Sequence, residues 1–177
     1  MLFQDLFKEG SIPYYGKTFV KNELILQQGD ISQRLYVIRK GALRMGHVTP
    51  DGKDISTQFF FEGDHIASIA SFYDQTPSEF FIQALEKTNV IYVERTDFFH
   101  HLEKNSDSKE LLMEFLMRKM LIYNDLFLSR IRYSPAERYQ ELVSMHGELL
   151  DRVPDQYLAS YLGMTPVSFS RIKNRLS

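Results

Sequence analysis

The residue types best suited to molecular recognition lie at the carboxyl end of the chain. Arg171, Lys173 and Arg175 are closely spaced there, and no acidic residue occurs from Thr165 to Ser177. On a helix, an arginine can donate two hydrogen bonds to O6 and N7 of guanine, which discriminates by about 1 to 3 kcal/mol. Lysine, serine and threonine side chains can hold phosphates and set the register. The pattern indicates recognition of duplex DNA, and a simple complement to the helix dipole is the alternative.

Two short helices must position these cations. The spacing predicts a helix, a tight turn at Gly163, and a second helix that Thr165 caps and Pro166 opens. The predicted inner faces are Leu158, Ala159 and Leu162 on the first helix and Phe169, Ile172 and Leu176 on the second. Ser168, Arg171, Lys173, Asn174 and Arg175 are left on the opposite face. The arrangement is that of a helix-turn-helix.

The positive charge is local rather than general. Residues 134–177 hold five basic and five acidic side chains, so the basic excess is confined to the last predicted helix. The whole chain has a net charge of −2, which argues against a general polyanion binder.

The composition excludes several other classes of protein. Of the 177 residues, 44% are hydrophobic, which is enough for a core and argues against disorder. The absence of cysteine excludes disulfides and thiolate chemistry. No nucleophile with a base, phosphate-cradling glycine loop or metal constellation occurs, so no enzymatic activity, metal or cofactor is expected. No apolar run reaches the roughly 18 residues of a membrane helix and no export signal is present, so a cytoplasmic location is expected.

The region from about residue 16 to 95 is typical of an antiparallel β-roll, sandwich or barrel. Its segments are rich in β-branched and aromatic residues, and glycine-containing turns recur at intervals of 11 or 12 residues. The predicted strand segments are 34–41, 42–48, 54–64, 80–86 and 89–94. A generic sandwich without a ligand is the alternative. Beyond them, Thr96 is predicted to cap a short helix on which Phe99 and Leu102 share a face.

A long helix is predicted from about Ser108 to Tyr133, because this stretch contains no glycine or proline. Apolar residues recur along it at alternating spacings of three and four, which indicates a seam that pairs with a second copy of the helix. These seam residues are Met113, Leu116, Met120, Tyr123 and Phe127. The alternative is a single core helix within a monomer.

A boundary is expected at Ser134–Pro135, because proline disfavours helical geometry in the preceding residue and fits a new helix start. The predicted fold class is therefore α+β. It comprises an antiparallel, cupin-like β-roll over residues 1–106, a long dimerisation helix over 107–133 and a helix-turn-helix domain over 134–177.

Two stretches give this chain a family resemblance. QYLASYLGMTPVSFSRIKNRL resembles the helix-turn-helix signature of the Crp/Fnr transcription regulators, and LYVIRKGALRM resembles two of their β-roll strands. The resemblance implies a homodimer that reads a near-palindromic operator in double-stranded DNA. Carried over by position, Arg171 reads bases, Ser168 and Ser170 lie near the DNA backbone, and Thr165 caps the reading helix. Val167 stands where relatives often have glutamate, so it is expected to touch a thymine methyl group rather than a cytosine amine.

The sequence departs from the relatives that bind cyclic AMP. Ala67-Ser68 stands where they carry Gly-Glu for the ribose, and Ser78-Glu79 stands where they carry Arg-Ser for the cyclic phosphate. No lysine or arginine occurs from Gly63 to Phe81, so a buried phosphate would have no cationic partner. Cyclic AMP and cyclic GMP are therefore not expected to bind.

An unknown small-molecule effector could still occupy the matching cavity. Its expected lining is Ile66, Ala67, Ser68, Ser78, Glu79, Tyr123 and Asn124. Relatives commonly continue into a small β wing, whose absence after Ser177 is expected to weaken phosphate anchoring. The predicted function is a sequence-specific DNA-binding regulator. The alternative is a ligand-sensing or protein-interaction module that does not bind DNA.

Overall fold

The computed structural model describes residues 12–147 and 149–176; residues 1–11, where no export signal was found, lie outside them. Two antiparallel sheets of four strands form the amino-terminal part. In spatial order, the first sheet contains β1 (Tyr15–Phe19), β8 (Thr88–Glu94), β3 (Arg34–Lys40) and β6 (His65–Ile66). The second contains β2 (Leu24–Leu26), β7 (Phe81–Ala84), β4 (Leu43–Val48) and β5 (Asp54–Phe60). Each of the five predicted strand segments contains a strand, and β1, β2 and β6 were not predicted.

The two sheets enclose an apolar core, because alternate residues of each strand point to the same face. Phe19 and Ile38 from the first sheet meet Leu43 and Ile82 from the second, and all four are almost fully buried. The same alternation points Arg44, the residue after Leu43, to the opposite face of the second sheet. Arg44 is nevertheless buried, so another element must cover this outer face.

Three helices follow the strands or interrupt them. Helix α1 (Ile69–Asp74) lies between β6 and β7 and was not predicted. Helix α2 (Arg95–Lys104) begins one residue before Thr96, with Glu94 as its N-cap, so the prediction that Thr96 caps this helix is wrong. The strand β8 runs directly into the helix, which leaves no turn for a capping threonine.

The long helix α3 (Ser106–Arg132) matches the predicted range within two residues. The side chain of Asn105 caps it by accepting a hydrogen bond from the Ser108 N–H at 3.1 Å. Leu112 and Phe115 pack against an apolar cluster that contains Leu35 and Val37 from β3 and Phe98 from α2. One face of α3 therefore lies on the amino-terminal part of the chain.

Four described helices make up the carboxyl-terminal part: α4 (Pro135–His146), α5 (Leu149–Arg152), α6 (Asp155–Tyr161) and α7 (Pro166–Leu176). The sequence predicts three of them and misses the one-turn helix α5. The predicted break at Ser134 is confirmed, since the Ser134 and Glu137 side chains form a reciprocal capping box with the backbone. Within the described ranges, no helix is long and apolar enough to cross a lipid bilayer.

The carboxyl-terminal helices share an apolar cluster with the sheets. Leu158 and Phe169, from α6 and α7, are fully buried, and Tyr139 from α4 packs beside them. Ala42 and Leu85, from the strand connections of the amino-terminal part, belong to the same cluster. The helices are therefore seated on the β-strands rather than separated from them.

Candidate nucleic-acid interface

The turn between α6 and α7 has the geometry of a Schellman motif. The Met164 N–H donates to the Ala159 carbonyl at 2.8 Å, and the Gly163 N–H donates to the Ser160 carbonyl at 3.1 Å. Gly163 has a φ of +70°, a conformation that glycine adopts without the steric cost of a side chain. This local geometry explains why the tight turn predicted from the sequence forms at Gly163.

Arg138 on α4 stabilises this turn through hydrogen bonds to backbone carbonyl groups. One of its terminal nitrogens donates to the carbonyl of Leu162 at 2.7 Å, and the other donates to the carbonyl of Arg130 at 3.3 Å. The Leu162 carbonyl belongs to the end of α6, where backbone acceptors lack partners within the helix. Arg138 therefore ties α6 to α3 and α4. The sequence alone does not indicate this role for Arg138.

The start of α7 is set by its cap and by one buried ring. The Thr165 hydroxyl accepts a hydrogen bond from the Ser168 N–H at 3.2 Å, and Pro166 is the first helical residue. Phe169 is completely buried and meets the Tyr139 ring edge to face, with 5.5 Å between ring centroids. Ile172 is half-buried beside it, whereas the side chain of Leu176 lies outside the described residues. This packing fixes which face of α7 points away from the protein.

The outward face of α7 presents most of the predicted DNA contacts to solvent. Exposed there are Thr165, Val167, Ser168, Ser170, Arg171 and Arg175. Val167 is 63% exposed although it is apolar, so nothing within the described chain covers it. Helix α7 contains no acidic residue. The surface is therefore a positively charged helix face with hydroxyl groups and one apolar side chain.

Lys173 differs from the other predicted contacts. It is half-buried, and its ammonium group forms an ion pair with Asp155 at the start of α6, with 2.7 Å between Nζ and the carboxylate oxygen. Asp155 balances its charge in the isolated chain. Lys173 would have to exchange this carboxylate for a phosphate in order to contact DNA.

The residues expected to line an effector cavity lie in different apolar clusters, in a buried pair of serine residues or on the surface. Ser68 and Ser78 are buried, and their hydroxyl oxygens lie 2.8 Å apart. Ile66 belongs to the core between the sheets, whereas Ala67 belongs to the cluster with α2. The side chain of Glu79 is exposed.

The two expected contributions from the long helix do not reach Ser68 or Ser78 through any hydrogen bond of the described chain. The Tyr123 hydroxyl donates instead to Oε1 of Gln58 on β5 at 3.1 Å, and partial burial of the side chain raises the pKa of Tyr123. Asn124 is exposed. Two clefts of about 520 Å³ and 310 Å³ open elsewhere on the β-strands, and none of the seven expected residues lines them.

The five predicted seam residues form an exposed apolar line along α3. Met113, Leu116, Met120, Tyr123 and Phe127 are between 41% and 62% exposed in the single chain. Surface residues on a helix in a monomer are usually polar, so a contiguous apolar line of this length indicates a surface that associates with another apolar surface.

Comparison with known proteins assigns the amino-terminal half of the chain to a family. Residues 16–105 match the family model described as the cyclic nucleotide-binding domain. This match extends from β1 to the end of α2 and covers half of the chain, so the protein belongs to the cyclic nucleotide-binding domain family.

The comparison also finds relatives that extend over nearly the whole chain. It is 28% identical to the anaerobic regulatory protein of Pasteurella multocida over 98% of this chain and 67% of that protein. It is 27% identical to the protein of the same name from Aggregatibacter actinomycetemcomitans over 90% of this chain and 65% of that protein. The chain spans about two thirds of the length of these relatives.

Solved structures share the fold over both parts of the chain. FixK2 from Bradyrhizobium japonicum superposes with a TM-score of 0.78 at 18% identity, over 93% of this chain and 85% of that one. The catabolite activator protein of Thermus thermophilus superposes with a TM-score of 0.57 at 20% identity, over 92% of this chain and 78% of that one. At these identities the likeness concerns the fold alone.

Proposed function

We propose that this protein is a homodimeric transcription regulator of the Crp/Fnr type that recognises a near-palindromic operator in double-stranded DNA. The observation that carries the proposal is the outward face of α7, where the exposed Arg171 and Arg175 stand without an acidic neighbour on the helix. The relatives named anaerobic regulatory proteins support a role in regulation.

In this proposal, α7 enters the major groove and the Schellman turn holds it at a fixed angle to α6. Arg171 donates to a guanine edge, Val167 touches a thymine methyl group, and the hydroxyl groups of Ser168 and Ser170 lie near phosphates. Lys173 and Arg175 add phosphate contacts, and Thr165 keeps the first turn of α7 in register. The exposed seam of α3 joins two protomers, so that two α7 helices address two half-sites.

The test uses the full chain and a pool of random DNA duplexes. Rounds of selection should enrich a near-palindromic sequence, and fluorescence anisotropy should show binding to it that weakens as salt rises. Arg171→Ala should lose about 1 to 3 kcal/mol of discrimination at one position of each half-site. Arg39→Ala removes an exposed arginine on β3 and serves as the matched control with unchanged affinity. No enrichment of any sequence would contradict DNA recognition and favour a ligand-sensing or protein-interaction role.

We further propose that the amino-terminal part, which contains the two sheets, does not respond to cyclic AMP or cyclic GMP. The buried Ser68 and Ser78 are hydrogen bonded to one another, and the stretch from Gly63 to Phe81 contains no lysine or arginine. A cyclic phosphate placed there would lose its hydration without gaining a cationic partner. Calorimetric titration of the full chain with each cyclic nucleotide should give no heat of binding, and micromolar or tighter binding would contradict the proposal.

A further inference from the structure

The outer face of β4 and β5 is covered by α6, the first helix of the proposed DNA-binding pair. The contact centres on Arg44, whose side chain is only 3% exposed although it lies on the face of the sheet opposite the core. A guanidinium group is stable in such a place only when its charge and its donors are matched by partners. The strands and α6 together provide those partners.

The strands contribute the polar partners of Arg44. Its two terminal nitrogens donate to the two carboxylate oxygens of Asp54 at 2.7 Å and 2.6 Å, and its Nε donates to Gln83 at 2.9 Å. The hydroxyl of Ser56 accepts a further hydrogen bond at 3.2 Å. This bidentate hydrogen bonding to a carboxylate requires the planar guanidinium group of arginine.

Helix α6 contributes the aromatic cover. The guanidinium carbon lies 3.7 Å from the centroid of the Tyr157 ring on α6 and 4.7 Å from the centroid of the Phe81 ring on β7. Arg44 is therefore stacked between one ring from the sheet and one ring from the helix. Such cation–π contacts strengthen when water is excluded, as it is here.

Further bonds cross the same boundary on either side of Arg44. The Ser56 N–H donates to the Ser160 hydroxyl on α6 at 3.1 Å. Arg152, at the end of α5, pairs with Glu62 at 2.8 Å and with Glu86 at 2.5 Å. Its guanidinium lowers the pKa of Glu62 to about 2, so this carboxylate stays ionised at neutral pH.

We infer that the contact between α6 and the outer face of β4 and β5 is a latch, centred on Arg44 and Tyr157, that holds α6 and α7 in one orientation and preorganises α7 for DNA. The part concerning DNA rests on the proposed function. The docked arrangement covers α6 but leaves the outward face of α7 exposed, so it is compatible with groove contact. A helix pair that is already oriented loses less freedom on binding than one that moves independently.

Hydrogen exchange of the full chain tests the latch without DNA. The Ser56 amide reports docking directly, because its acceptor lies on α6. Tyr157→Leu removes the ring over Arg44 and should speed exchange of this amide by about tenfold or more, as expected for a more frequent local opening. Amides of the β3–β8 ladder should be accelerated less than the Ser56 amide, which shows that the opening is local to the contact with α6. Tyr73→Leu, at an exposed ring on α1, is the matched control.

A second variant tests whether the effect of Tyr157→Leu arises from a disturbance of α6 rather than from loss of the contact with Arg44. Arg44→Lys leaves the helix untouched and keeps the charge, but lacks the planar fork and the stacking surface. It should also speed exchange at Ser56. Unchanged exchange at Ser56 in both variants would overturn the latch.

DNA binding tests the preorganisation separately. Both variants should bind the selected duplex about tenfold more weakly than the unaltered chain, with the same preference for sequence, since the contact residues on α7 are intact. Unchanged affinity would overturn preorganisation, and tighter binding would overturn it in favour of an inhibitory contact. Failure of the unaltered chain to bind any duplex would overturn the proposed function together with preorganisation, while exchange at Ser56 would still decide whether the latch exists.

Discussion

At the scale of single residues, His65 is a titratable group whose surroundings disfavour its charged form. Its imidazole on β6 meets the ring of Phe115 on α3, with 5.2 Å between ring centroids. Burial, with a smaller contribution from the positive charge of Lys119, lowers the pKa of His65 to about 4. The side chain is therefore neutral at neutral pH and packs as an uncharged ring against Phe115 of α3.

We expect the stability of the protein to decrease in mild acid because of His65. The unfolded chain takes up a proton at this residue near its ordinary pKa of about 6.5, whereas the folded chain takes it up only near 4. The free energy of unfolding contributed by His65 is thus complete above pH 6.5 and is lost progressively as the pH falls toward 4. Denaturant midpoints measured across this range should show the decrease.

The variant His65→Gln should flatten this pH dependence, because glutamine does not titrate. His100→Gln alters an exposed histidine of α2 and is expected to keep the slope of the unaltered chain. A slope that is the same in His65→Gln as in the unaltered chain would show that other groups cause the acid sensitivity.

Single residues were predictable from sequence where the signal is local. Thr165 and Gly163 were correctly assigned, because capping and left-handed turns depend on neighbours within a few positions. The pairing of Lys173 with Asp155 was not foreseen, since it joins two helices across a turn. Arg138 was missed for the same reason, since its acceptor on Leu162 lies 24 positions away.

At the scale of elements, α3 carries the clearest unsatisfied surface. Its inner face is anchored by Leu112 and Phe115, whereas its seam side remains exposed. Among the described residues, only one of the two apolar faces of α3 is covered, which supports the proposed association through the other face. In the proposed homodimer, a second copy of α3 would provide a matching heptad pattern.

Met120→Glu is expected to convert a dimer into monomers. The side chain is 57% exposed in the single chain, and in a paired seam it would be surrounded by apolar side chains that cannot solvate a carboxylate. Light scattering of the full chain should show the molar mass fall by half.

Asp125→Lys changes the charge at an exposed position of α3 away from the seam, and it should leave the mass of the dimer unchanged. A mass that is the same in Met120→Glu as in the unaltered chain would remove the seam from the proposal.

The elements that the sequence failed to predict are short or poorly patterned. Strand β1 is exposed along most of its length, so hydrophobic alternation is absent from it. Strands β2 and β6 have three and two residues, and α1 has six, which is too few for a period to be recognised. The longer strands and α3 were predictable, because burial of one face imposes a repeating pattern over several turns or pleats.

At the scale of the whole molecule, the seating of the carboxyl-terminal helices on the sheet was not predictable. Arg44 and Tyr157 are far apart in the chain, and neither position has a neighbour that signals the contact. The sequence indicates a boundary at Ser134, which the capping box supports locally. It contains no periodic signal that specifies how the segments on either side of the boundary pack together.

The apolar cluster that joins Ala42 and Leu85 to Tyr139, Leu158 and Phe169 makes the two regions mutually dependent for their stability. Heating the full chain should therefore give one calorimetric transition, and two well-separated transitions would contradict this dependence. A fragment truncated at Tyr133 would leave Ala42 and Leu85 uncovered in water and should aggregate more readily than the intact chain. Deleting either half would therefore remove part of this shared apolar cluster. The effect of the deletion would combine a loss of stability with the loss of an activity.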